Sequence, residues 1–250
     1  VEGASAVHDE DRLPSATAAP LPGPPLVRQS WRDTTFVHWP VAPADVAPLL
    51  PPGTRPDTLG GVSHVGLVAF RVTATTVAGV LPTGGFTEVN VRLYAVDGAG
   101  RRGVVFVTMD ADSLHSVLAA RALTGLPYIW SDTSLRPQEG GIAAGAVRRR
   151  WPGGHARGRW RIAVRDHLAE PSPLERFLTA RWGLHTAHAG RTWWIGISHR
   201  PWRLFRADLL AYEGNLVDAA GIPLGEQPPI SVLWSPGVDT DVCPSPAPVA

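Results

Sequence analysis

Residues 86–96 read Phe86-Thr87-Glu88-Val89-Asn90-Val91-Arg92-Leu93-Tyr94-Ala95-Val96, and their alternation decides the fold class. One face carries Phe86, Glu88, Asn90, Arg92 and Tyr94; the other carries Thr87, Val89, Val91, Leu93 and Ala95. The second face is core by composition. The first is either solvated or the lining of an internal pocket, and an isolated half-buried strand would fit the solvated reading. Two details favour a covered face. Aromatic residues bracket the charges, and the next strand (Val104, Val105, Phe106, Val107) is apolar on both sides, as in a central strand. A carboxylate and a guanidinium on one such face could orient and neutralise an anionic ligand.

Outward from this stretch, period-two patterning recurs at 33–39, 62–72, 103–111, 127–131, 142–150, 157–165, 191–199, 202–213 and 230–234. Short helices are expected at 43–50, 113–123 and 173–182. The second opens at Asp112 or Ser113, both good N-cap residues, and the third has Pro173 at its first position and Glu175 in its first turn. Turn residues at Asp97-Gly98-Ala99-Gly100 and Pro152-Gly153-Gly154 support hairpins. The pattern predicts an α+β, mainly antiparallel β fold, its sheet curled into a barrel or sandwich with a few flanking short helices. Residues 1–28 and 236–250, rich in Pro and Ala, are expected to be flexible, leaving 29–235 as a single domain.

Composition excludes some chemistry. The 23 basic side chains are all arginine, because no lysine occurs in the chain. A guanidinium keeps its proton near neutrality and is no amine nucleophile. Side-chain imine chemistry, pyridoxal-phosphate anchoring, Ser-x-x-Lys hydrolysis and a phosphate-loop lysine are therefore absent. GC-rich codon usage accounts for the scarcity of lysine; the chemical exclusion holds regardless. A net charge of +1 suggests neither a nucleic-acid nor a membrane partner. The single Cys243 permits no intrachain disulfide, which fits a reducing compartment, and no signal pattern or membrane-length apolar run appears. A cytoplasmic protein is expected, and no cofactor, since no dinucleotide fingerprint or Walker motif is present.

The stretch from Phe86 to Trp130 resembles the acetoacetate decarboxylase superfamily. There, a strand with an inward Glu is followed by a helix ending in Gly-Arg-Glu-x-x-Gly-x-Pro-Lys, whose Lys forms an imine with the substrate ketone. The corresponding run here is Ala120-Arg121-Ala122-Leu123-Thr124-Gly125-Leu126-Pro127-Tyr128. Arg, Gly and Pro keep their spacing, Glu88 matches the inward acid, the motif Glu is Ala122 and the Lys position holds Tyr128. A closer likeness is to the bacterial YqjF-like family of unknown function. It rests on Phe36-Val-His-Trp-Pro-Val41, Glu88-Val-Asn-Val-Arg92 with Tyr94, and Met109-Asp110-Ala111. Ala120-Arg121 through Tyr128, Phe177-Leu178 with Arg181, and His199-Arg-Pro-Trp202 complete it. The resemblance implies a barrel-like antiparallel core without a Schiff-base lysine, and supplies no established reaction. Relatives in the superfamily form oligomers, so a homo-oligomer stays open.

Two functions from different classes follow. The first is a small-molecule pocket, catalytic or simply binding, for a carboxylate- or carbonyl-bearing ligand. Its candidate catalytic residues are Glu88, as acid or base, and Tyr128, as donor to a carbonyl oxygen. Arg92 or Arg121 would hold a carboxylate, with Asn90, Tyr94, His38 and His199 as further binding residues. The second is a non-catalytic module binding an anionic partner through the hairpin 148–165. Arg148, Arg149, Arg150, Arg157, Arg159, Arg161 and Arg165 crowd it, with Trp151 and Trp160 interleaved. Those on the second strand share one face opposite Trp160, Ile162 and Val164, as a solvated outer face would, so nucleic acid is not the expected partner.

Other signals have bland readings. His38 and His199 lie beside Trp-Pro and Pro-Trp, where packing and backbone bonding compete with acid–base roles. His185 and His188 have helical metal spacing but no ligand cluster nearby, and a solvated loop is expected. Asp110 and Asp112 read as caps rather than calcium ligands. Gly61-Val-Ser63 and Gly196-Ile-Ser198 fail to complete a nucleophile elbow.

Overall fold

The structure, a computed structural model, describes residues 13–79, 81–151 and 154–249. Its strands are β1 (Val27–Val41), β2 (Thr54–Pro56), β3 (Ser63–Val77), β4 (Leu81–Thr83), β5 (Phe86–Asp97), β6 (Arg102–Ala111) and β7 (Tyr128–Glu139). They continue as β8 (Ile142–Trp151), β9 (Arg157–His167), β10 (Gly183–His188), β11 (Arg191–His199), β12 (Phe205–Gly214) and β13 (Ser231–Pro248). The helices are α1 (Pro43–Val46), α2 (Leu114–Thr124) and α3 (Pro173–Thr179).

Neighbouring strands run β11-β10-β6-β7-β8-β9-β12-β13-β1-β3-β5-β2, with β4 beside β3 and further pairings β5–β6 and β11–β13. The further pairings join distant parts of that path, so one large mixed sheet curls round on itself. Antiparallel pairing dominates, as the sequence pattern implied. The parallel exceptions are β6 with β7, and β10 with β6. Parallel β6 and β7 need a crossover, and α2 supplies it. Gly125 takes a left-handed φ of 69° at the helix's end. That conformation is nearly free for glycine, and Pro127 then directs the chain into β7.

β5 is held between β3 and β6 along most of its length. Val89, Val91, Leu93 and Ala95 enter the main apolar core with Val65, Leu67 and Ala69 of β3 and Trp160 and Ile162 of β9. Trp160 reaches this core because Gly145 on β8 leaves room; a Cβ there would lie 2.1 Å from the indole ring. The polar face of β5 is covered too. Glu88, Asn90 and Tyr94 are all buried.

Several local expectations are corrected. The segment from 236, expected to be a flexible tail, belongs to β13, which pairs with β1 from His38↔Ser231 to Val27↔Val242 and with β11 from His199↔Thr240 to Trp193↔Pro248. Val238 and Thr240 point inward while Asp239 and Asp241 bond Arg32 and Arg28 outward. This period-two signal outweighs the proline content, because Pro244 and the prolines beyond it sit at the strand's end. Residues 13–26 have no regular structure, yet Ser15 and Pro14 carbonyls accept from Trp182 and Arg176. Residues 1–12 of that segment, and Pro152-Gly153 of the second hairpin, lie outside the described residues. The 183–188 stretch is a strand rather than a loop, with Trp194 of β11 laid over Gly183. α3 stops at Thr179, short of the expected 182, after a full capping box between Ser172 and Glu175.

Ending the chain at Ser235 should cause a loss comparable with the whole stability of a domain, roughly 5–15 kcal/mol. The expected outcome is no cooperative unfolding in urea; a truncated chain with an unchanged midpoint would show that β13 is dispensable.

Candidate functional site

The curled sheet encloses a cavity of about 250 Å³. β5 supplies its polar floor, Glu88, Asn90 and Arg92, successive residues on one face. β7 contributes Tyr128 at its first position, the end of α3 leads to Thr179 and Arg181, and β11 ends at His199. The remaining wall is largely apolar, with Trp31, Phe106, Met109, Ile195, Ile197 and Trp202 among its members.

Glu88 sits at the centre of a short chain of hydrogen bonds. The Asn90 amide donates to Oε1 at 3.0 Å and the Tyr128 hydroxyl donates to Oε2 at 2.8 Å. Burial pushes the Glu88 carboxyl up to about 7, against the opposing pull of Asn90 and Tyr128. A carboxyl poised there can give or take a proton near neutral pH. Burial, reinforced by Glu88, raises the Tyr128 phenol well above its ordinary value, so it stays a neutral donor. The Asn90 carbonyl oxygen is buried without a protein partner.

A second polar cluster adjoins this one. Asp57, buried, receives Arg102 in a short ion pair and Arg181 Nη1 at 2.5 Å. Burial would raise the Asp57 carboxyl, but Arg181 and Arg102 outweigh it and hold it below its usual value. Arg181 Nε donates to the Phe177 carbonyl at 2.7 Å, and its guanidinium lies over the rings of Phe177 and Tyr94. Arg181 Nη2 is buried and unpartnered.

The structure gathers Glu88, Asn90, Arg92, Tyr128 and His199 around one cavity. It places three other sequence candidates elsewhere. Arg121 is exposed on α2, where it donates to the Tyr128 carbonyl at 2.7 Å and braces the turn into β7. Tyr94 is wholly buried and donates to the Leu178 carbonyl at 3.1 Å. His38 packs between Phe36 and Tyr94 over Gly66, with both ring nitrogens unpartnered, and burial keeps it neutral by holding its pKa well below the usual value. His199 accepts a place in an aromatic cluster of Trp31, Trp182 and Trp202 while its Nδ1 bonds the Arg200 carbonyl at 2.6 Å. Tyr128's hydroxyl proton is already engaged by Glu88, so its donor role toward a ligand requires Glu88 to release it.

Arg181 and Thr34, whose buried hydroxyl also lines the cavity unpartnered, were not among the sequence candidates for the site. Arg181 had a signal, an arginine four residues after Phe177, where a helix end can turn it inward; Thr34 had none. Asp110 is neither cap nor calcium ligand: Arg149 binds it through Nε at 2.9 Å and Nη2 at 3.0 Å, with the Ser131 hydroxyl at 2.7 Å. His185 is buried against Asp97, its Nε2 3.2 Å from the carboxylate. The arginine hairpin is largely engaged at home, because Arg148 and Arg150 share Asp132, Arg165 meets Asp208, and Trp160 is in the core. No helix among the described residues is long and apolar enough to cross a membrane.

Solved structures share this architecture. Acetoacetate decarboxylase from Legionella pneumophila superposes with a TM-score of 0.64 at 16% identity, covering 100% of this chain and 98% of its own. An acetoacetate decarboxylase-like enzyme from Sphingomonas wittichii RW1 gives 0.62 at 14% identity, covering 91% of this chain and 95% of its own. The enduracididine biosynthesis enzyme MppR, complexed with pyruvate, gives 0.58 at 16%, covering 90% of each chain. The fold is therefore acetoacetate decarboxylase-like. The chain belongs to the DUF2071 family, described as an uncharacterized conserved protein, whose model matches residues 28–239. Uncharacterized protein YqjF of Bacillus subtilis (strain 168) is 31% identical over 210 residues, 82% of this chain and 86% of that protein.

The raised Glu88 carboxyl has a stability signature. Its folded value of about 7 lies above the ordinary 4.5, so the protonated form is favoured on folding. The associated stability is complete below the unfolded value and is lost as pH rises through about 7. Relative to Glu88→Gln, the wild type should therefore lose about 3 kcal/mol between pH 4 and pH 8. Urea unfolding across that range measures it; a constant difference would mean that Glu88 is not held in an apolar setting.

Proposed function

We propose that the protein binds a small carboxylate- or carbonyl-bearing molecule in the Glu88 cavity and acts on it by acid–base and electrostatic means. The observation that carries this reading is the pairing of one protonatable buried carboxyl, Glu88, with the guanidinium groups of Arg92 and Arg181 around a single cavity. Glu88 serves as the proton donor or acceptor, and the neutral Tyr128 phenol steadies its ionised state. When Glu88 is protonated, Tyr128 is released to donate to a ligand oxygen; when it is ionised, Tyr128 and Asn90 both donate to it.

The resemblance to imine-forming decarboxylases sharpens the chemical limit. At the lysine position of that motif stands Tyr128, and it is a cavity residue bonded to Glu88. A phenol cannot condense with a ketone to an imine. The pyruvate complex of MppR, a protein of the same fold, supports oxo acids as the first ligands to try. Binding of an anionic macromolecule by the hairpin 148–165 finds no comparable support, since its arginines are mostly paired with aspartates.

Thermal-shift measurements with a panel of 2-oxo acids and simple carboxylates should reveal a stabilising ligand. Glu88→Gln and Tyr128→Phe should each cut the shift by more than half while the proteins remain folded. Borohydride added with the oxo acid should leave no side-chain mass adduct. Equal shifts in wild type and both variants would defeat the assignment.

A further inference from the structure

The cavity's polar end carries an excess of positive charge. Arg181, buried, and Arg92, half-buried, line it, and the carboxylate that Arg181 shares with Arg102 is Asp57. Glu88 compensates it only in part at neutral pH, because burial raises its carboxyl toward the neutral form. Arginine does not shed its proton to relieve such a site, and an uncompensated buried charge is costly. His38 and His64 lie beside these arginines and are held neutral by burial first and by the arginines second.

Arg181 is the group best placed to receive a counter-ion. The residue is 5% exposed and lines the cavity. Nε is fixed by the Phe177 carbonyl, Nη1 by Asp57, and Phe177 packs against its plane, which leaves Nη2 pre-set and unpartnered. Arg92 is less free, because its Nη2 donates to the Leu178 carbonyl and its Nε approaches Tyr94. Away from these groups the wall is Val104, Phe106, Met109, Leu184, Ile195 and Ile197. The cavity of about 250 Å³ extends along this apolar wall, beyond the polar groups that a three-carbon acid would meet.

We infer that Arg181, oriented by Asp57, anchors a ligand carboxylate, and that the ligand is a monocarboxylic acid bearing an aromatic or branched alkyl substituent. This rests on the cavity being the ligand site proposed above. The carboxylate supplies the missing negative charge at Arg181 Nη2, and the substituent covers the apolar wall. A dicarboxylate is disfavoured, since its second charge would face that wall without a partner.

Calorimetry with pyruvate, phenylpyruvate and the methyl ester of phenylpyruvate tests this. Wild type should bind phenylpyruvate at least tenfold more tightly than either pyruvate or the ester. Arg181→Gln should weaken phenylpyruvate at least tenfold. Arg181→Lys keeps the charge and guards against a fold defect in the first variant; it should recover part of the loss. Pyruvate binding as tightly as phenylpyruvate would overturn the apolar substituent and leave the cavity reading standing. An ester bound as tightly as the acid, or an unaffected Arg181→Gln variant, would overturn the anchor. Failure of every acid to bind wild type would instead defeat the cavity reading itself.

Discussion

The burial of β5 on both faces is the constraint on which the rest depends. A central strand ordinarily meets it with apolar residues throughout. Here one face does so, and the other buries Glu88 and Asn90 and half-buries Arg92. Those groups must then be satisfied internally. Tyr128 and Asn90 meet Glu88, the Leu178 carbonyl meets Arg92, and Asp57 meets Arg181 and Arg102. What remains unsatisfied, the Asn90 amide oxygen and Arg181 Nη2, belongs to two residues that line the cavity. A polar strand face is thereby kept folded beside a cavity, where its groups are held by specific partners.

The same constraint operates within an acetoacetate decarboxylase-like fold built from a lysine-free chain. The crossover from β6 through α2 to β7 still delivers a side chain beside the inward carboxyl. With tyrosine in that place the pair becomes a hydrogen-bonded acid and phenol instead of an acid and an amine. Burial raises both.

Much of this was legible in the alternation of 86–96 and in the apolar run of β6, because a two-residue period reports burial directly. Tyr128 and Glu88 met as the motif spacing implied. Arg121 could not be placed from spacing alone: its position in α2 fixes which way it faces only when the helix's packing is known, and it turned outward. Tyr94 lies on the correct face of β5 but is roofed by Phe177 of α3, a contact distant in sequence. Arg181 was hidden for the reverse reason, since its ion pair with Asp57 spans 124 positions. β13 was misread because proline counts masked the inward Val238 and Thr240.

The central claim is that a buried carboxyl and an anionic ligand share one space. Carbon NMR of glutamate-labelled protein, with Glu88 assigned through Glu88→Gln, reads the carboxyl itself. In the free protein it should titrate near 7. Saturating phenylpyruvate should move that midpoint upward, because a ligand carboxylate adds negative charge and screens the arginines. A Glu88 titration near the ordinary carboxylate value, or one indifferent to the bound acid, would contradict the account.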